Sequence, residues 1–350
     1  MNDLAHYRHS LSRVARGPRA IFVGLLALLV AAGCATPGTP VRQVAGNLAI
    51  PWGLAFLPDG SALVGQRDSA RLIQIRPDGT TVARGTVPGV VHAGEGGLLG
   101  LAVSPNYAAD GLVFAYTTTA TDNRVVRFRF GTAPTAIVTG IPKGTNHNGG
   151  RLAFGPDRML YVSTGDAGTR SRAQDRASLG GKILRVTTTG APAPGNPFAG
   201  SRVYSYGHRN VQGMAWDGRG RMYATEFGQD TWDEVNRIVA GGNYGWPIVE
   251  GQAKDPRFRD PLTEWHPVDA SPSGLAFAGQ ALWVGGLRGQ RMWRLAVDDA
   301  NGTVTSRTEY YRGTYGRIRT VVTSPDGRSL WITTSNGSGD KVLKVPLAYS

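Results

Sequence analysis

Six times along the chain a short apolar run gives way to a turn rich in Pro, Asp and Gly, and then to a second apolar run. The copies are GLAFLPDGSALVGQ from Gly53, GLAVSPNYAADGLVFAYT from Gly100, RLAFGPDRMLYVSTGD from Arg151, GMAWDGRGRMYATE from Gly213, GLAFAGQALWVGG from Gly274 and TVVTSPDGRSLWITTS from Thr320. Strand, turn and strand in that chemistry is the signature of a β-hairpin. The starts lie 47, 51, 62, 61 and 46 residues apart. Several copies are followed by a stretch of alternating apolar and polar residues: RLIQIRP (71–77), RVVRFRF (124–130), KILRVTT (182–188), RMWRLAV (291–297) and KVLKVPL (341–347). A period of two is what half-exposed outer strands show. Six units of about 50 residues with four strands each predict an all-β, six-bladed β-propeller with four-stranded antiparallel blades. A two-sheet sandwich would need longer strands and leaves six matched copies unexplained. The two longest intervals must contain long loops, near 187–203 and 228–268, and long loops on a rigid scaffold carry function and specificity.

The first 45 residues do not fit this pattern. Arg8, Arg13, Arg16 and Arg19 precede an uncharged run, AIFVGLLALLVAAG, from Ala20 to Gly33. That run is shorter than the ~20 residues needed to span a bilayer. A basic segment, a short apolar segment and small residues form a secretory signal. Ala31-Ala32-Gly33-Cys34 resembles a bacterial lipobox, in which the Cys is acylated after cleavage. Residues 1–33 are therefore expected to be a lipoprotein signal peptide, 34–45 a Pro/Gly/Thr tether and 46–350 the propeller. The expected place is outside the cytoplasm, on a membrane through Cys34 and facing the periplasm or cell exterior. Cys34 is the single Cys of the chain, so no structural disulfide can form. Losing the leader takes the net charge from +13 to about +10. A basic surface suits nucleic acid, anionic lipid or an anionic ligand, and the export signal argues against nucleic acid. Gly and Pro, at 49 and 21 residues, fall short of a low-complexity composition, and 41% apolar residues suffice for a core.

Longer motifs carry a resemblance. HNGGRLAFGPDRMLYVSTGDAG (147–168), SLGGKILRV (178–186), YSYGHRNVQGMAWD (204–217), DEVNRIVAGGNYGWP (233–247), SPSGLAFAGQALWVGGLRGQRMWRL (271–295) and RIRTVVTSPDG (317–327) resemble the soluble quinoprotein glucose/sorbosone dehydrogenases, or aldose sugar dehydrogenases. The likeness runs in order from about Pro51 to Leu347. It implies a six-bladed propeller that holds pyrroloquinoline quinone (PQQ) and Ca²⁺ at one mouth of its channel.

The resemblance also assigns residues. His147, at a strand mouth, matches the family's general base, and Asp166 in STGD matches its orienting partner, the base-plus-orienter arrangement of catalytic triads. The alternative is a hairpin-end pair that closes a turn. Arg209 and Asn210 match residues at the quinone carbonyls, where a cation and an amide donor meet the charge of reduction; a structural layer at a blade junction is the other reading. His208 reads as structural. Arg288, Arg317 and Arg319 match the basic positions that hold the carboxylates of PQQ. Independently of the family, Arg317 and Arg319 are two apart, so on one strand they share a face, and like charges there favour an anionic ligand over a solvated edge. Ca²⁺ takes oxygen ligands, and the backbone carbonyls of Gly228 and Gln229 match the family's donors, with Gln229 standing where many members have Pro. Glu95 matches a position near the substrate, where a carboxylate either binds sugar hydroxyls or caps the turn.

The expected function is oxidation of an aldose at C1 to the lactone, dependent on PQQ and Ca²⁺, with electrons passed to an external acceptor. Two rivals come from other classes. One is a cofactor-free propeller lipoprotein that binds carbohydrate or protein. The other is a metal-dependent lactonase-like hydrolase, which needs three or four inward Asp, Glu or Asn side chains around a channel metal.

Overall fold

The computed structural model describes residues 40–347. The leader (1–33), Cys34 and the tether as far as residue 39 lie outside the described residues. Twenty-four strands form six four-stranded antiparallel sheets, with one α-helical turn at Tyr107–Asp110 and one 3-10 turn at Arg170–Ala173. Blade 1 begins with Pro51–Phe56, blade 2 with Leu98–Val103, blade 3 with Leu152–Phe154, blade 4 with Val211–Trp216, blade 5 with Pro272–Ala278 and blade 6 with Ile318–Thr323. These innermost strands touch in sequence, and that of blade 6 returns to that of blade 1. The fold is the six-bladed propeller that the spacing predicts.

Two expectations change. The alternating stretches at 71–77, 124–130, 182–188, 291–297 and 341–347 are third strands, not the outermost ones, because a fourth strand pairs outside each. Their mixed exposure arises from packing against neighbouring blades. The second change concerns the tether. Arg42–Leu48 is a strand, paired antiparallel with Asp340–Pro346 as the outermost strand of blade 6. Residues 42–45 therefore belong to the propeller, and the start of the described chain closes the ring. Asp340 ties this clasp to the chain that follows it, its Oδ2 accepting the Ile50 amide (3.3 Å) while Oδ1 accepts from Thr334 Oγ1 (2.8 Å) and the Asn336 amide (2.7 Å).

The core lies between blades. Leu63 and Leu72 of blade 1 pack on Leu98, Val113 and Val126 of blade 2; Tyr161 and Ile183 of blade 3 pack on Met214 and Met222 of blade 4. Each large buried apolar side chain contributes about 1.5–3 kcal/mol relative to exposure. The glycine that opens four of the six sequence copies has a separate cause. A Cβ on Gly53, Gly100, Gly213 or Gly274 would stand 2.3–2.5 Å from backbone atoms of the next blade's inner strand. Blades 3 and 6 carry Arg151 and Thr320 instead, and these meet across the channel, Arg151 Nη1 donating to Thr320 Oγ1 at 3.1 Å.

Candidate active site

Because inner strands all run in one sense, the segment before each, and the turn between second and third strands, lie at one mouth of the channel. His147, Glu95, Arg209, Asn210 and Arg317 fall in the first class. Asp166, Gly228, Gln229 and Arg288 fall in the second. Tertiary structure thus gathers the site residues expected from sequence at one end.

His147 and Asp166 are in direct contact, His147 Nδ1 lying 2.8 Å from Asp166 Oδ1. The imidazole keeps 13% of its side chain exposed, the carboxylate 1%. The backbone at His147 is forced into the left-handed region (φ 55°), as is Ala167 (φ 52°), and the Ala167 amide donates to the His147 carbonyl at 3.1 Å. Non-glycine residues in that region are held by their surroundings and cluster at functional sites. Gly165 permits the approach, since a Cβ there would stand 1.8 Å from the His147 carbonyl oxygen. Burial alone would raise the Asp166 pKa, but hydrogen bonds from His147, Trp246 and the Gly168 amide outweigh it and hold the carboxyl below its ordinary value. Glu95 sits beside the pair, and its Oε2 accepts the His147 backbone N–H at 2.8 Å. One of its oxygens therefore caps the turn.

Arg209 and Asn210 stand where blade 4 begins. Arg209 donates from Nη2 and Nε to Gln229 Oε1 (2.8 and 3.1 Å) and from Nη1 to the Phe227 carbonyl (3.1 Å). Burial lowers its pKa, opposed by Asp166, Glu226, Glu250 and Asp233. Asn210 is fully buried; its Oδ1 accepts the Gly149 amide (2.9 Å), while its Nδ2 has no partner. His208 is sealed, with Ser205 Oγ at 2.8 Å from Nε2 and Glu226 Oε2 at 2.8 Å from Nδ1.

The three expected cations differ. Arg319 is buried, and burial pushes its pKa down to about 9. Its Nη1 reaches Gln212 Oε1 (3.1 Å) and Ser273 Oγ (3.3 Å), and its Nε has no partner. Arg317 is half-buried and burial lowers its pKa too; Glu95 and Arg67 act on both. Arg288 is exposed in the turn after Gly286.

Sequence reasoning missed several participants. Arg67 adds a cation at the same mouth. Arg151, also held near 9 by burial, lies over the Trp52 ring (4.2 Å) with Nη2 unpartnered. Glu250 Oε1 accepts the amides of Gln229, Asp230, Thr231 and Trp232 at 2.7–3.3 Å. Trp246 reaches Asp166. Trp246 had a signal in the quoted run that ends NYGWP, and Arg151 had one as the residue that opens the third copy in place of glycine.

The residues fit PQQ and calcium. A planar tricarboxylate needs fixed cations and donors with no other acceptor. Asn210 Nδ2 and Arg319 Nε are buried donors of that kind, beside Arg67 and Arg317. Among the described residues no group of three His, Cys, Asp or Glu side chains could hold a metal, so a hard cation would rely on carbonyls. With the amides of 229–232 turned to Glu250, the carbonyls of Gly228 and Gln229 accept from no backbone donor among the described residues. The long segment 187–203, by contrast, follows a third strand and lies at the opposite mouth, so it does not help shape this site. The other long interval does contribute, through residues 228–250.

The sequence profile of the Glucose / Sorbosone dehydrogenase family matches residues 48–344. The aldose sugar dehydrogenase YliI of Escherichia coli is 30% identical over an alignment of 377 positions, gaps included, that covers 93% of this chain and 98% of that protein. The PQQ-bound form of an aldose sugar dehydrogenase from Streptomyces coelicolor superposes with a TM-score of 0.84 at 50% identity, covering 88% of this chain and 98% of that one. A putative oxidoreductase (glucose dehydrogenase) from Thermus thermophilus gives a TM-score of 0.81 at 45% identity, covering 88% and 100%.

Proposed function

The chain belongs to the glucose/sorbosone dehydrogenase family, and on that premise we propose that it oxidises an aldose at C1 to the lactone using PQQ and Ca²⁺. The observation that carries the reading is the His147–Asp166 pair, set beside a group of arginines and beside buried donor atoms, Asn210 Nδ2 and Arg319 Nε, that no protein group answers. PQQ, when bound, supplies the two-electron acceptor. Its carboxylates would meet Arg288, Arg317 and Arg319. Arg209 and Asn210 would present N–H groups where negative charge develops. The Gly228 and Gln229 carbonyls would hold the calcium. His147 donates its Nδ1 proton to Asp166, which leaves the Nε2 lone pair to take the C1 hydroxyl proton as the C–H bond breaks. Glu95, with one oxygen committed to the turn, would offer the other to a sugar hydroxyl. Electrons then leave to an external acceptor. The exported, lipid-anchored placement through Cys34 belongs to the same reading and rests on the leader sequence. Among the described residues no helix is long and apolar enough to cross a membrane.

The test is reconstitution of the purified chain with PQQ and Ca²⁺, followed by dye reduction with a panel of aldoses. Activity that needs both additions is expected. Dye reduction by no aldose, or full activity without PQQ, overturns the reading.

A further inference from the structure

Asp166 holds more than the histidine. Its Oδ1 lies 2.8 Å from His147 Nδ1 and accepts from the Gly168 amide, also at 2.8 Å. Its Oδ2 accepts from Trp246 Nε1 at 2.9 Å, across 80 residues of sequence. Trp246 stands in the segment between the third and fourth strands of blade 4, which climbs back to the site and is stapled to the loop that carries Asp166. Gln174 of that loop donates from Nε2 to the Trp246 carbonyl (2.7 Å), and Gln174 and Asn243 exchange amide hydrogen bonds of 2.9 and 3.0 Å. The guanidiniums of Arg209 and Arg170 lie over the same indole, 5.5 and 5.3 Å from its centre.

The indole bond is not a default of this fold. Trp265, Trp293 and Trp331 each bury Nε1 with no partner. A carboxylate held on one oxygen alone can swing about its Cβ–Cγ bond; held on both, it cannot. The charged groups that face Asp166 are His147 from before blade 3, Arg172 of its own loop, whose Nη1 reaches the Asp166 carbonyl at 3.2 Å, and Arg209 from before blade 4. None of them donates to Oδ2.

We propose that Trp246 is a positioning residue of the pair: its indole N–H pins Asp166 Oδ2, so that Oδ1 holds the proton of His147 on Nδ1 and leaves Nε2 free to act as base. This rests on reading His147 as the base. Blade 4 thereby sets the tautomer of a histidine that belongs to blade 3.

Trp246→Phe keeps an aromatic ring near Arg209 and removes the donor. The ¹⁵N shifts of the His147 ring, recorded in the full mature chain without added cofactor, should show the Nδ1–H form in the parent and a mixture of tautomers in the variant. With PQQ and Ca²⁺ added, single-turnover reduction by aldose should slow about 10- to 100-fold, the usual effect of a group that orients another from behind, with PQQ affinity unchanged. An unchanged tautomer, or a wild-type rate, overturns the proposal. Should the variant fail to fold, the parent still decides: the Trp246 indole proton must shift as His147 titrates, and a resonance blind to that titration overturns the idea. His147→Gln separates the two layers. If it leaves the rate intact, the assigned base fails, and the tautomer in Trp246→Phe then decides the positioning alone; a slow His147→Gln beside a wild-type rate in Trp246→Phe keeps the base and overturns the positioning.

Discussion

Among the described residues two histidine–carboxylate pairs share one length, and a third, His92 with Asp68, is looser at 3.2 Å. His147 Nδ1 and Asp166, and His208 Nδ1 and Glu226, each lie 2.8 Å apart. In both, the acid ends or follows the second strand of a blade and the histidine precedes an inner strand. The difference is the other ring nitrogen. His208 Nε2 is bonded to Ser205, the ring stacks on Tyr244 at 4.6 Å, and the residue has no exposed surface. His147 Nε2 has no partner among the described residues, and the ring opens to the mouth. A carboxylate behind an imidazole therefore does not by itself equip a histidine to act as a base; the other ring nitrogen must also be left unpartnered and open.

The largest test of that contrast is His147→Gln, which should retain PQQ yet lower single-turnover reduction by ~10²–10⁴-fold, the effect of a general base. His208→Gln should leave that step nearly unchanged once folded. Equal losses in both would erase the distinction. Next come the cations. Arg317→Ala and Arg319→Ala should each weaken PQQ binding by about one to two decades, since charge-assisted bonds are worth ~1.5–3 kcal/mol. Arg319→Ala should also lower stability, because Gln212 and Ser273 lose a partner, whereas Arg317→Ala should not; urea titration separates them. The sealed pair should then show its own cost, His208→Gln destabilising the fold by about 1–3 kcal/mol through unmet buried groups. An acid titration gives a smaller effect. The folded pKa of Asp166 is held below its ordinary 3.8, so its contribution to stability is full above that value and lost as pH falls through the lower folded one. The gap in urea midpoint between wild type and Asp166→Asn should close over that acid range. Smallest of all, His92→Gln and His266→Gln should change neither rate nor affinity. His92 bonds the Gly96 carbonyl at 2.8 Å and His266 stacks on Trp232 at 4.4 Å, away from the pair.

The two long intervals teach a related point. The sequence marks both as loop-bearing and says nothing about direction. Residues 187–203 leave a third strand at the far mouth and fold largely on themselves, with Arg202 Nε bonded to the Gly190 carbonyl (2.7 Å) and Arg185 to the Asn196 side chain (3.0 Å), while Phe198 reaches up to Arg176 (4.9 Å). Residues 239–262 leave an equivalent strand of the next blade and climb back, bringing Trp246 and Glu250 to the site. Length is legible along the chain; the path is set by what the segment finds to pack on.

The sequence alone made the blade number and the hairpins legible, because these follow from local periodicity and turn chemistry; the candidates from Glu95 to Arg319 were reached through contiguous motifs that match a known family. Tertiary structure decided what depends on distant chain segments meeting. It placed Arg42–Leu48 on Asp340–Pro346 to close the ring, since an edge strand pairs with whichever edge reaches it. It chose between two like histidines by sealing one Nε2. It put an indole from blade 4 behind the acid of blade 3, a contact for which no spacing rule exists, because a hydrogen bond depends on where the fold brings two atoms and not on how far apart they lie in sequence.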